Sequence, residues 1–172
     1  LAKFSWNPSD ALLGALAVLP LIGLFLAVIR WPIGPLRHIR RFCEEEFVPL
    51  LAGSTVSDMA LIALSAGVAE EMLFRGLLQT SLGDWLGAGW GLVLSSFCFG
   101  LLHPISIPYS VFTMCVGLYL GTAFLLSGNL LTVMVMHVLY DLALMSYLLR
   151  VAFRGGPTAS IPTVDPDADI DD

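Results

Sequence analysis

Ala69-Glu70-Glu71-Met72-Leu73-Phe74-Arg75-Gly76-Leu77-Leu78 sets two carboxylates and a guanidinium inside a run, Met59 to Leu82, that is otherwise almost wholly apolar. A run of that length reads as a membrane-embedded helix, where each buried charge costs roughly 2.5–3.5 kcal/mol even on the gentler insertion scales. Such charges are kept when they are paired or when they do chemistry. Glu71 stands four residues before Arg75, acid N-terminal to base, the favourable order for an ion pair along a helix. Glu70 is turned about 100° from Glu71 and has no local partner. It shares its face with Leu73, Phe74 and Leu77, a face expected to turn toward the rest of the protein. The stretch therefore predicts one structural acid, Glu71 held by Arg75, and one free acid, Glu70, available for work.

The composition around this stretch fits a membrane bundle. The chain has 172 residues, 57% hydrophobic and 13% charged, with a mean hydropathy of +0.84. Soluble domains carry about a quarter charged residues. The formal net charge of −6 is concentrated at one end, since Asp165, Asp167, Asp169, Asp171 and Asp172 close the sequence. The remainder is near neutral, so no nucleic-acid partner is inferred. Cys43, Cys98 and Cys115 are scattered without metal-ligand or disulfide spacing and read as small packing residues. The chain opens on Leu1 rather than Met, which leads us to expect further residues upstream.

Read in order, the chain predicts about five spans. Asn7-Pro8-Ser9-Asp10 is a helix-start signal with Trp6 as an interfacial anchor. Ala11–Ile29 is an uncharged apolar run long enough to cross a hydrocarbon core of about 30 Å. Arg30 to Glu46 is a charged connector whose Arg30, Arg37, Arg40 and Arg41 place it on the cytoplasmic side. Phe47–Ser57 is expected as an interfacial lead-in, broken by Pro49 and Gly53. The second span is the organising helix, near Val56–Leu82, with Asp58 at its N-terminal edge. A third covers about Leu86–Leu102 and ends at His103-Pro104, since proline disfavours helical geometry in the residue before it. The fourth covers about Ser110–Leu126, with Gly117 and Gly121 as a small-xxx-small packing pair. The fifth covers Leu130–Leu149. The expected organisation is a first helix plus charged connector over 1–56, a functional helical core over 57–150, and a disordered acidic tail over 151–172. The fold class is thus all-α, a polytopic transmembrane bundle around a polar intramembrane site, with a cytoplasmic C-terminus.

Inside the predicted spans the ionisable residues fall into three units. Glu70, Glu71 and Arg75 form the first. His103 follows Phe99 by four residues, and Asp141 follows His137 by four, so each pair points along one helical face. A lone histidine in an apolar run is most simply a packed residue bonded to a carbonyl. Two histidines, an unpaired glutamate and an aspartate in separate spans of a small bundle are better explained by convergence on one site. A carboxylate beside an imidazole is general-base equipment for activating water. A second imidazole oriented by a carboxylate can hydrogen-bond a developing oxyanion. Together these parts suffice for amide hydrolysis. Glu70, His103, His137 and Asp141 could equally ligate a divalent metal such as zinc, although no HExxH motif is present.

The three units, EExxxR at Glu70-Glu71…Arg75, FxxxH at Phe99…His103 and HxxxD at His137…Asp141, resemble the motifs of the CPBP family in order and spacing. That family comprises CAAX-prenyl endopeptidases, bacterial relatives, and bacteriocin-processing or self-immunity (Abi) proteins. The resemblance covers about Asp58 to Tyr147. It implies that Glu70 and His103 activate the attacking water, that His137 and Asp141 stabilise the oxyanion, and that Glu71, Arg75 and Phe99 support the site. The implied partner is a peptide or protein substrate presented at the membrane, among membrane lipids. The implied setting is a bacterial cytoplasmic membrane. The chain departs from the pattern at Asp141, where eukaryotic prenyl-protein proteases usually carry Asn. An ionised aspartate is a poorer oxyanion donor and a better imidazole orienter or metal ligand. Against this protease reading stand two others, a non-proteolytic immunity or scaffold protein of the same family, and a small proton-coupled carrier. The intact motif set disfavours the first, and the lack of an inverted repeat disfavours the second.

Overall fold

A computed structural model describes residues 4–154, so the expected acidic tail lies, from residue 155 onward, outside the described residues. Among them there is no strand, and the chain is an all-α bundle. Asn7 caps α1 (Pro8–Ala17), accepting from the Ser9 amide at 3.1 Å, and α2 (Leu19–Arg30) continues it. Together they form one candidate span, Pro8–Arg30.

The charged connector differs from expectation. Instead of a loop over Arg30–Glu46, the chain is helical from Leu36, as α3 (Leu36–Phe42) and a wide π-type turn (Cys43–Phe47), and it continues into α4 (Val48–Leu51), within the stretch expected as an interfacial helix or loop. Pairing of Arg40 with Glu44 at 2.7 Å and of Arg41 with Glu45 at 3.5 Å, each four apart, lets a charge-rich segment take helical form. Its opposite face carries Ile39 and Cys43, which are buried.

The chain then turns through 117° into Val56–Leu86. Thr55 and Asp58 form a capping box there, with the Asp58 amide 3.2 Å from Thr55 Oγ1 and the Thr55 amide 2.8 Å from Asp58 Oδ2. Asp58 is therefore a helix-start residue and takes no part in the buried cluster. The organising span is not one uniform helix. It runs as α5 (Val56–Glu71), a π segment (Met72–Gln79) and α6 (Thr80–Leu86). The wider turns begin immediately after Glu71 and shift the phase of everything beyond. Leu73 and Leu77, expected to share the inward face of Glu70, point outward, while Phe74 is buried.

Next come α7 (Ala88–Leu101), α8 (Ile107–Ser127) and α9 (Leu130–Arg154). Three helices are long and apolar enough to cross a membrane, or four if the bent pair counts as one. The fifth apolar helix, α7, has 14 residues. At about 1.5 Å per residue it falls short of a full crossing. The bundle agrees roughly with the expected span count. Helix α9 lies at its centre, packing against α1, α5 and α8, with Val133 and Met136 wholly buried. Asn129 fixes the start of α9 to the N-terminal segment, donating to the Ser5 carbonyl at 2.9 Å and to Asp10 Oδ2 at 2.8 Å.

Candidate active site

One contact brings the organising span onto α9. A Cβ added at Gly67 would lie 2.7 Å from Val138 Cγ2 and 3.0 Å from the Val138 amide nitrogen. The absence of a side chain at Gly67 lets α5 close on α9, and one turn later Glu70 and Glu71 meet His137.

Glu71 and Arg75 form the expected pair, with Arg75 Nη1 2.7 Å from Glu71 Oε1 and neither side chain exposed. Two further contacts hold it. Arg75 Nη2 donates to the Gly117 carbonyl at 2.9 Å, and the guanidinium lies 4.8 Å from the Phe99 ring centroid. One turn on, Gln79 Nε2 donates to the Gly121 carbonyl at 3.0 Å. Thus two side chains four apart on the π segment reach two carbonyls four apart on α8. The Gly117/Gly121 pair packs within this chain, against Ser96 and Phe99 and against Leu92 and Gln79. Gln79 was missed in the sequence, although a buried amide in an apolar run is itself a signal of intramembrane function or bonding.

His137 is oriented differently from expectation. Its Nδ1 lies 2.8 Å from Glu71 Oε1, so Glu71 and not the i+4 residue Asp141 holds the ring. Asp141 instead stands beside the other nitrogen, its Oδ2 3.7 Å from Nε2, and Glu70 Oε2 is 3.9 Å from the same atom. Glu71 wins because it is already fixed by Arg75 and reaches Nδ1 with good hydrogen-bond length, whereas Asp141 stops beyond it.

His103 sits just past the C-terminus of α7. Its Nδ1 faces the Phe99 carbonyl at 2.8 Å and its own carbonyl accepts from Ser110 Oγ at 3.0 Å, so the first turn of α8 pins the loop. Phe99 joins the two histidines, with ring centroids 4.8 Å from His103 and 6.1 Å from His137. Glu70, His103, His137 and Asp141 all line one cavity of about 270 Å³, into which Phe42, Cys43 and Tyr109 also project. Among the described residues, no three His, Cys, Asp or Glu side chains are grouped closely enough to hold a metal ion.

The family model for type II CAAX prenyl endopeptidases, Rce1-like, matches residues 52–143. The chain belongs to this Rce1-like family. The matched stretch contains all seven residues singled out from the sequence, Glu70, Glu71, Arg75, Phe99, His103, His137 and Asp141. No curated protein and no solved structure matches the chain. Family and apolar helices together make this Rce1-like chain a CAAX-protease-like integral membrane protein.

Proposed function

We propose that the chain is an intramembrane endopeptidase that hydrolyses a peptide bond with a water activated by Glu70 and His103. The observation that supports this most is the sharing of one cavity by Glu70, His103, His137 and Asp141, while Glu71 and Arg75 are sealed behind it. Glu70, whose side chain is 31% exposed, accepts the proton of the attacking water. His103, with Nδ1 on the Phe99 carbonyl, offers Nε2 as the second acceptor. His137, fixed by Glu71, stands across from Glu70; when doubly protonated it donates through Nε2 to the oxyanion. Asp141 steadies that nitrogen from the side. No step requires a metal, and the same four residues would be its ligands if they drew together.

The substrate is a peptide or protein segment presented at the membrane, with lipids around the bundle. By the positive-inside rule the exposed Arg37 and Arg41 support a cytoplasmic side for the charged connector. A cytoplasmic C-terminal end of α9, with its exposed Arg150, requires the short α7 to carry the chain back across the membrane. The bacterial setting rests on the family resemblance.

The test is cleavage of prenylated CAAX peptides and unprenylated controls by purified protein in lipid, with and without chelator, beside Glu70→Gln. We expect cleavage that survives chelation and is lost in Glu70→Gln. Loss under chelation, restored by zinc, would replace the water-activating pair with a metal site. Failure to cleave any peptide, including membrane-protein fragments, would overturn the protease reading in favour of an immunity or scaffold role.

A further inference from the structure

The cavity that joins the four polar residues is rich in hydrogen-bond acceptors, and among those four only His137 can donate to an oxyanion. Glu70 and Asp141 bring carboxylates to it. Both histidines turn Nδ1 toward an acceptor, the Phe99 carbonyl for His103 and Glu71 Oε1 for His137, each at 2.8 Å. In its neutral form His103 so placed keeps its single proton on Nδ1 and shows the cavity a bare Nε2 lone pair, which leaves His137, once doubly protonated, as the one N–H donor among the four. Thr113 spends its hydroxyl on its own helix, 3.0 Å from the Tyr109 and Ser110 carbonyls. The Cys43 thiol is a weak donor. Yet water attack on a carbonyl creates an oxyanion, and an oxyanion is stabilised by donors.

Two phenols remain. Tyr109 and Tyr140 both line the cavity. Among the described residues neither hydroxyl makes a hydrogen bond, in contrast to Tyr119, whose hydroxyl donates to the Ala17 carbonyl at 2.9 Å. Tyr140 packs its ring edge-on to Phe25, with centroids 6.4 Å apart. Tyr109 is closer to the chemistry. Its ring is 6.4 Å from that of His103, it is braced by Phe42 at 5.3 Å, and it lines the cavity together with Glu70 and Asp141.

We propose that Tyr109 is a further catalytic residue, donating its phenolic O–H to the oxyanion. The inference rests on the hydrolytic reading above. Water oxygen bonds to the carbonyl carbon, the C=O π pair moves to oxygen, and the water proton passes to Glu70. The oxyanion is held by His137 Nε2–H and by the Tyr109 O–H, which keeps its proton throughout. Collapse then re-forms the C=O as the C–N bond breaks, and the proton held by Glu70 goes to the leaving nitrogen.

The experiment compares the parent chain, Tyr109→Phe and the control Tyr119→Phe, in lipid, on whichever peptide the parent cleaves. Tyr109→Phe keeps the ring and its contacts, and elution as a single species checks its fold. Expected is a fall in kcat of about 10²-fold, the usual effect of removing one oxyanion donor, with KM within about twofold. A phosphonamidate peptide, which imitates the tetrahedral oxyanion, should lose affinity for Tyr109→Phe by a similar factor, while Tyr119→Phe behaves as the parent. An unchanged kcat, or a loss confined to KM with the phosphonamidate bound as before, overturns the assignment of Tyr109 and leaves the protease reading standing. A parent chain that cleaves nothing overturns both.

Discussion

Glu71 has no exposed side-chain surface and is held by Arg75 at 2.7 Å and His137 at 2.8 Å, whereas Glu70, the residue before it, is 31% exposed and faces the cavity. The two walls of the same helix turn continue this contrast. Behind Glu71, the π segment is bonded through Arg75 and Gln79 to the carbonyls of Gly117 and Gly121 on α8. Before Glu70, His103 and Asp141 reach the cavity from a loop and from the partly exposed side of α9. Consecutive helix residues differ by about 100° in direction, which is enough to put one acid in a sealed ion-pair network and its neighbour against water. The sealed wall fixes geometry, and the open wall is the one that the proposed proton transfers would use.

The largest effect that would break this contrast is at the sealed wall. Arg75→Ala leaves Glu71 buried without its cation and frees the Gly117 contact. Removing one partner of a buried pair costs about 3–5 kcal/mol. We expect loss of folded protein in detergent, measured by thermal unfolding, with hydrolysis lost as a consequence. If Arg75→Ala unfolded at the parent temperature, the sealed wall would not be what holds the bundle.

Next in size is the open wall. Glu70→Gln keeps shape and removes the proposed base, so the proposed hydrolysis should fall by about 10²–10⁴-fold, the usual share of general-base catalysis. The unfolding temperature should stay within about 2 °C of the parent, since Glu70 Oε2 is buried with no hydrogen-bond partner to lose and the amide has the same shape. Equal damage to stability from Glu70→Gln and Arg75→Ala would erase the distinction between the two acids.

How much of this was legible follows from distance along the chain and from helix phase. The Glu71–Arg75 pair was readable because both residues lie on one helix at a spacing that brings side chains together. The availability of Glu70 was readable because nothing local could pair with it. The bond between His137 and Glu71 was not, because it joins residues 66 apart. The i+4 rule pointed His137 to Asp141, and geometry gave Nδ1 to the acid that Arg75 had already fixed. The π segment was hidden as well, since one extra residue per turn leaves an apolar run looking the same. The outward turn of Leu73 and Leu77 is its consequence. The helix over Leu36–Leu51 was masked by its charges, which pair along its exposed face instead of breaking it.

A smaller effect sharpens the role of the π segment. A Cβ at Gly121 would lie 2.6 Å from Gln79 Oε1 and 2.5 Å from Leu92 Cδ1. Gly121→Ala should push Gln79 off the α8 carbonyl and cost about 1–3 kcal/mol, as overpacking does. Gln79→Leu removes the same hydrogen bond without a clash and should cost about 0.5–1.5 kcal/mol. Unfolding of the two variants separates clash from bond. Equal losses would mean that the bond, and not the close approach of the helices, carries the energy.

The smallest expected effect lies at the entrance to the same span and guards the interpretation of the others. Thr55 accepts from the Asp58 amide at 3.2 Å and starts α5, four turns before Glu70 and outside the cavity lining. Thr55→Ala removes this cap and should cost about 1 kcal/mol, typical of losing an N-cap hydroxyl. Hydrolysis measured well below the unfolding temperature should be unchanged, because a population still more than nine-tenths folded presents the same cavity. If Thr55→Ala instead lowered kcat in proportion to stability, activity would follow bundle stability in general. The loss in Glu70→Gln would then count as evidence for a base only to the extent that it exceeded that proportional loss.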